Sequence, residues 1–242
     1  QLAAVAAGQS SVRKLSVGNA GQVAITPGRP DGAAGTVGID KIGLTTNGCL
    51  LHRRVEGWRE AGLTHLNVSV DALDRERFAR ITGHDRLDDL LAGVERALSL
   101  DFAAIKLNAV LLRDLNDDQL PAWFDYLRER PLTLRFIELM RTGDNGEYFA
   151  RHHVRADTLE RTLEADGWRL MPRAADAGPA REYAHTDYAG RIGVIAPYSK
   201  DFCAGCNRLR VTSAGDLRLC LFGNVGIPLR PLLQSDDDHD AL

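Results

Sequence analysis

Residues 65–71, "HLNVSVD", and residues 105–112, "IKLNAVLL", flank a stretch of different texture, "RLDDLLAGVERALSL" at 86–100. The outer two read as short strands bounded by turn residues, and the middle one spaces its apolar residues three and four apart, as an amphipathic helix does. Strand, helix and strand in that order imply a right-handed crossover on a parallel sheet. The same alternation extends outward. "KIGLTT" (41–46) and "LTLRFIEL" (132–139) read as strands, and "LLHRRVEGWREAG" (50–62) and "DDQLPAWFDYLRER" (117–130) as helices. The fold class is therefore α/β, either an open doubly wound sheet or a TIM-like barrel. No glycine-rich dinucleotide fingerprint opens any of these helices, so a barrel or partial barrel is preferred.

The flanks differ. Residues 1–37 are mostly Ala, Gly, Val, Ser and Pro without a sustained period, and no structure is expected there. After Met140 come a loop rich in Gly, Asn and Asp ("RTGDNGEYF"), a helix near 156–166 and short strands around "REYAHTD" and "RIGVIAP". These read as a smaller accessory region laid across one end of the sheet. The acidic end, "QSDDDHDAL", is expected to fray.

Composition narrows the partners. Of 242 residues, 44% are hydrophobic and 26% charged, as in an ordinary globular protein rather than a disordered chain. With 30 basic and 33 acidic side chains the net charge is −3, which gives no overall case for nucleic acid or an anionic membrane. The apolar runs are strand-sized, far below the roughly 20 residues of a membrane span. The chain starts at Gln1 and shows no basic stretch followed by an apolar core, so the expectation is no signal peptide and a cytoplasmic location.

In parallel α/β architectures chemistry gathers where strands run out. The first strand delivers Thr45, Thr46 and Asn47; the second Asn67, Ser69 and Asp71; the third Lys106 and Asn108; the fourth Arg135, Glu138 and then Met140. Singly, each is most simply a cap or a satisfied polar group. Lys106 and Arg135, however, sit inside apolar strands and need an anionic partner, either Glu138 or Asp71 or a ligand's phosphate or carboxylate.

Three of four cysteines lie in "DFCAGCNRLRVTSAGDLRLC", residues 201–220, as Cys203, Cys206 and Cys220. Structural zinc takes four ligands, so a zinc site would need Cys49 or a histidine as the fourth. His152, His153 and His185 lack ligand spacing to the cluster. An iron–sulfur cluster on three thiolates would instead leave one iron open to an outside ligand. A strand through "CNRLRV" would turn Arg208 and Arg210 to one face and Leu209 to the other. Two guanidiniums beside an open metal position suit phosphate or carboxylate, although the same spacing fits a solvated basic stripe.

Taken together, "GIDKIGLTTNG", "GLTHLNVSVDALDRERFARITG", "IKLNAVLLRDLNDD", "LRFIELMRTGDNG", "DYAGRIGVIAPYSKDFCAGCNRLRVTSAGDLRLCLFG" and "IPLRPLL" resemble, in order from about Gly38 to Leu233, the GTP 3',8-cyclase family. These are radical S-adenosylmethionine (radical SAM) enzymes of molybdenum cofactor biosynthesis, also called molybdenum cofactor biosynthesis protein A. The resemblance implies an incomplete (βα) barrel with two 4Fe-4S clusters at opposite ends of its cavity, GTP and S-adenosylmethionine as substrates, and a tendency to form homodimers. It implies that Cys203, Cys206 and Cys220 ligate the carboxy-terminal cluster, whose open iron meets guanine. By position Thr45, Lys106, Arg208, Leu209 and Arg210 would bind GTP, Ser69 and Met140 would contact S-adenosylmethionine, and Arg135 would line the cavity. In the family a reduced cluster cleaves S-adenosylmethionine to a 5'-deoxyadenosyl radical, which takes the 3' hydrogen of GTP so that the ribose closes onto C8 of guanine.

The pattern also departs from the family. The second cysteine trio, the glycine-rich turn that follows it and the terminal glycine pair are not found in the sequence. The expectation is a fragment or frame-disrupted, amino-terminally truncated form, inactive as written. Its parts would be an unmatched segment at 1–37, a partial barrel at 38–140, and a cluster and GTP region at 141–242. The rivals are a catalytically dead GTP-binding module and a zinc-stapled structural domain.

Overall fold

The computed structural model describes residues 41–174, 177–200, 202–203, 210–212, 214–218, 220 and 226–234. In chain order its elements are β1 (Gly43–Thr46), α1 (Leu51–Glu60), β2 (His65–Ser69), α2 (Arg75–Thr82), α3 (Leu87–Leu98), β3 (Ala104–Leu111), α4 (Leu120–Leu127), β4 (Thr133–Glu138), α5 (Gly146–His152), α6 (Ala156–Ala165), β5 (Arg169–Leu170), β6 (Arg181–Ala184), β7 (Arg191–Ile195), β8 (Arg210–Val211), β9 (Asp216–Arg218) and β10 (Ile227–Pro228).

β1 to β4 pair in sequence order, all parallel, and β7 then adds parallel to β4. β6 and β5 complete a seven-stranded sheet as an antiparallel edge, and β8, β9 and β10 form a separate antiparallel sheet. The α/β class expected from the alternation is what the structure has. The strands after Met140 are placed differently from expectation: β5, β6 and β7 do not lie across one end of the sheet but continue it. Local pattern marks a strand yet does not name its neighbour, and β7, with Ile192, Gly193 and Val194 all buried, is apolar enough to take an interior position beside β4.

Burial alternates strictly along β2, β3 and β4, and the pairing register carries that alternation across the sheet. One face presents Leu44, Leu66, Val68, Leu107, Leu134 and Phe136, all buried, and α1, α3, α4 and α6 cover it. Trp123 of α4 meets Phe136 edge-on at 6.3 Å, a favoured ring geometry. Close helix contact needs Gly93 of α3, where a Cβ would stand 2.8 Å from the His52 backbone nitrogen and from Leu51 Cγ of α1. Two helices went unread in the sequence. α2 is mostly polar, but the Asp74 carboxylate accepts from the Arg77 N–H at 2.9 Å and Gly83 ends the helix in the left-handed region at φ 76°. α5 starts inside the segment expected as a loop, with Asn145 accepting the Thr142 N–H at 2.7 Å.

A buried amide ties two strand ends together. Asn116, 2% exposed, donates to the carbonyls of Asp71 (2.7 Å) and Val110 (2.8 Å) and accepts from the Leu112 N–H (2.7 Å). Where β2 and β3 run out, the backbone has no ladder partners left, and this one side chain supplies three.

Candidate functional site: a cationic face on a parallel sheet

The second face of the sheet is polar and half-buried. Register places Thr45, Asn67 and Lys106 in one row, and Ser69, Asn108, Arg135 and Gly193 in the next, with Glu182 of β6 beside Gly193. Parallel sheets are usually apolar on both sides, so a row of amides, hydroxyls and cations here marks a surface built to hold something polar.

Lys106 and Arg135 find partners that sequence reasoning did not name. The Lys106 Nζ pairs with Glu182 at 3.6 Å, and an Arg135 Nη2–H donates to the Asn67 carbonyl at 2.5 Å. The expected candidates lie elsewhere. Glu138 falls on the helix-covered side, 5% exposed, where its carboxylate meets His153 Nε2 at 2.8 Å. Asp71 accepts the Val110 N–H at 2.9 Å. Glu182 was missed because its strand joins the sheet only through β7, far along the chain.

β3 and β6 are separated by β4 and β7 in the sheet, so the Lys106–Glu182 pair reaches across two intervening strands. Room for Arg135 comes from Gly193, since a Cβ there would stand 2.9 Å from Arg135 Cγ. Burial, and then the Arg135 guanidinium, hold the Lys106 ammonium below its usual value, while Glu182 pulls it back. Lys106 and Arg135 thus stand close enough to feel each other on a partly desolvated surface, where the Glu182 carboxylate answers Lys106 and, from the next strand, Arg191.

The rim carries the remaining expected residues. Met140 follows β4, and its carbonyl accepts from the Asn145 amide at 2.9 Å. Tyr198, in the loop after β7, accepts the Arg141 N–H at 2.7 Å and sets its ring edge against His153 at 5.7 Å. A cleft of about 350 Å³ at the ends of β1 and β2 is lined by Asn47, Cys49, Ser69 and Asp71 among others. Burial pushes the Asp71 carboxyl up, against the pull of its Val110 hydrogen bond.

Of the cysteine segment, Cys203 and Cys220 are exposed free thiols, Arg210 opens β8, and Cys206, Arg208 and Leu209 lie outside the described residues. Among the described residues no three His, Cys, Asp or Glu side chains group as metal ligands. Exposed thiols without competing partners suit, by their donor chemistry, a soft metal or an iron–sulfur cluster. No helix among the described residues is long and apolar enough to cross a membrane.

Comparison with known proteins gives two family matches. The radical SAM superfamily profile covers residues 24–127, and the profile "Molybdenum Cofactor Synthesis C" covers residues 132–242. The chain is 67% identical over 209 residues to a GTP 3',8-cyclase from Stenotrophomonas maltophilia (strain R551-3), covering 86% of this chain and 64% of that one. It is 51% identical over 204 residues to a GTP 3',8-cyclase from Yersinia pestis (84% and 63% covered). Against a GTP 3',8-cyclase from Vibrio parahaemolyticus it is 44% identical over 238 residues, covering 98% of this chain and 68% of the relative. The chain thus spans about two thirds of the length of the curated relatives it matches.

Proposed function

The chain belongs to the GTP 3',8-cyclase family of radical SAM proteins, and on that premise we propose that it carries the nucleotide-binding part of such an enzyme, in molybdenum cofactor biosynthesis. The observation that carries this reading is the polar sheet face on which the register gathers Thr45, Asn67, Ser69, Lys106, Asn108 and Arg135, with the two cations near enough to lower the Lys106 value. A nucleoside triphosphate would bring its phosphates to Lys106 and Arg135.

On this reading residues 38–140 form a partial (βα) barrel, for which the parallel order of β1 to β4 with helices between them is the support. Residues 141–242 contribute the cluster and GTP region, and 1–37 precede both. Thr45, Lys106, Arg208, Leu209 and Arg210 bind GTP, Arg135 lines the cavity, and Ser69 and Met140 contact S-adenosylmethionine. Cys203, Cys206 and Cys220 would hold a 4Fe-4S cluster, which on three thiolates would leave one iron available to a ligand from outside the protein. The chain's own residues bind, orient and exclude water. Lys106 and Arg135 offer fixed N–H donors to the phosphates, and Asn67 holds Arg135 in place before substrate arrives. The Asn145 and Tyr198 hydrogen bonds fix the loop that presents Met140. A cytoplasmic location and a homodimer belong to the same reading.

A second reading keeps the nucleotide and drops the chemistry: a module that binds GTP without turning it over. Anaerobic reconstitution followed by iron and sulfide analysis, GTP binding and 5'-deoxyadenosine assay tests all of this. About four irons per chain with GTP binding supports the nucleotide role, and 5'-deoxyadenosine formation decides for the enzyme over the binding module. One zinc in place of iron and sulfide, with no GTP binding, would replace both readings by a structural metal domain.

A further inference from the structure

β8 and β9 pair antiparallel, and hydrogen bonds between Thr212 and Asp216 hold their near ends together. The Thr212 N–H donates to the Asp216 carbonyl at 2.9 Å, the Asp216 N–H to the Thr212 hydroxyl at 3.0 Å, and Gly215 takes φ 88° at the corner. β10 is anchored to the same corner through the Leu229 N–H and the Gly215 carbonyl at 2.8 Å.

In this frame the register sets Arg210 directly opposite Arg218. Directly opposed residues of an antiparallel pair project from the same face with their Cβ atoms about 5 Å apart, and like charges so placed repel. Both arginines are half-buried. Among the described residues neither has a carboxylate within 4.0 Å, and the Arg218 Nε–H is buried without a hydrogen-bond partner. The nearest acid in sequence, Asp216, shares a strand face with Arg218 but takes the Thr212 hydroxyl at 3.3 Å instead. Space beside the pair is kept by Gly226, whose Cβ would stand 3.4 Å from Arg218 Cγ and 3.1 Å from Asp216 Cβ.

Two opposed guanidiniums on paired strands, one with an unanswered donor among the described residues, form a fork for a tetrahedral oxyanion. We infer that Arg218 joins Arg210 as a two-guanidinium site for a phosphate group of the nucleotide, so that Arg218 is a further substrate-binding residue. This rests on the reading of Arg210 as part of the GTP site. Sequence reasoning passed over Arg218 because only the register of the paired strands, and not its spacing to Arg210, brings the two together.

The test uses the full, anaerobically reconstituted chain, with GTP and inorganic tripolyphosphate as probes, in wild type, Arg218→Gln, Arg218→Lys, Arg210→Gln and the double Gln variant. The expected result is that Arg218→Gln weakens both probes on the order of tenfold, the loss typical of a charged hydrogen bond. Arg218→Lys should recover only part, because an ammonium lacks the fork. The double variant should lose less than the product of the singles, as residues sharing one ligand group do. If Arg210→Gln loses GTP while Arg218→Gln binds like wild type, the inference is overturned and the nucleotide reading stands. If wild type binds tripolyphosphate through Arg218 but not GTP, the anion site stands and the nucleotide reading falls. Binding of neither probe by wild type overturns the site. Matching near-ultraviolet circular dichroism of Arg218→Lys and wild type keeps these outcomes separate from misfolding.

Discussion

Replacing Asn116 with alanine removes three hydrogen bonds at once from a side chain 2% exposed. The groups left behind are the Leu112 N–H and the carbonyls of Asp71 and Val110, all backbone atoms that cannot turn away. A buried hydrogen bond contributes about 1 kcal/mol net, and a group left dry and unpaired costs about 1–3 kcal/mol. Three such groups put the loss near 3 kcal/mol, and water entering the small void does not bring it below about 2 kcal/mol. In a chain of this size that lowers the melting temperature by roughly 6–12 °C. Urea unfolding followed by far-ultraviolet circular dichroism measures it, with an unchanged slope confirming that stability rather than the unfolded state has moved. Asn145→Ala is the internal control. It also removes two backbone contacts, to Thr142 and Met140, but on a half-exposed loop where water replaces them, and it should cost under about 1 kcal/mol. Equal losses in the two variants, or a loss under 1 kcal/mol at Asn116, would refute the argument that burial sets the cost.

Gly193→Ala places a Cβ against Arg135 Cγ and should weaken GTP binding roughly tenfold in equilibrium dialysis, about one charged hydrogen bond, with little change in unfolding. Gly93→Val should part α1 from α3 and destabilise by about 1–3 kcal/mol, as overpacking does, read by the same urea curves. Asp71 has a folded value raised by burial, so its charge costs stability above that value and nothing where both states are protonated. Asp71→Asn, which keeps an acceptor for the Val110 N–H, should therefore raise the melting temperature at neutral pH, the gain vanishing below about pH 3.8. Lys106 is shifted the other way: between its lowered folded value and the unfolded 10.5 the unfolded chain binds the extra proton, so its contribution to stability rises with pH in that window while anion affinity falls. A pH titration of GTP binding should show that alkaline loss beginning below pH 10.5, and Lys106→Met should flatten it.

The three strands from Leu66, Leu107 and Leu134 were legible in the sequence because each alternates apolar and polar residues, and an edge error of a residue or two left their faces unchanged. That same alternation is why the polar set Asn67, Ser69, Lys106, Asn108 and Arg135 could be named before its geometry. What stayed hidden depends on pairing. β7 lies beside β4 although dozens of residues separate them, and with it came Gly193 and, one strand further, Glu182. Arg218 was hidden for the same reason, by a register no spacing rule encodes. Glu138 is a candidate partner for Arg135 in the sequence, yet odd and even positions of β4 face opposite sides of the sheet. α2 hid behind its charge, since its helix rests on a cap and a terminal glycine more than on an apolar stripe.

The insertion of β7 next to β4 also sets an order of events as the chain is made. β1 to β4 can each dock on the strand before it as they leave the ribosome, because every new strand meets a finished edge. β4 then waits. Its outer edge, "TLRFIE", stays open while α5, α6, β5 and β6 are translated, and closes only when Arg191–Ile195 emerges. An open β edge is a template for pairing with another chain. During that interval of synthesis the nascent protein is most exposed to aggregation, and slowing translation between residues 139 and 190 should lengthen the exposure, whereas slowing it before β4 should not.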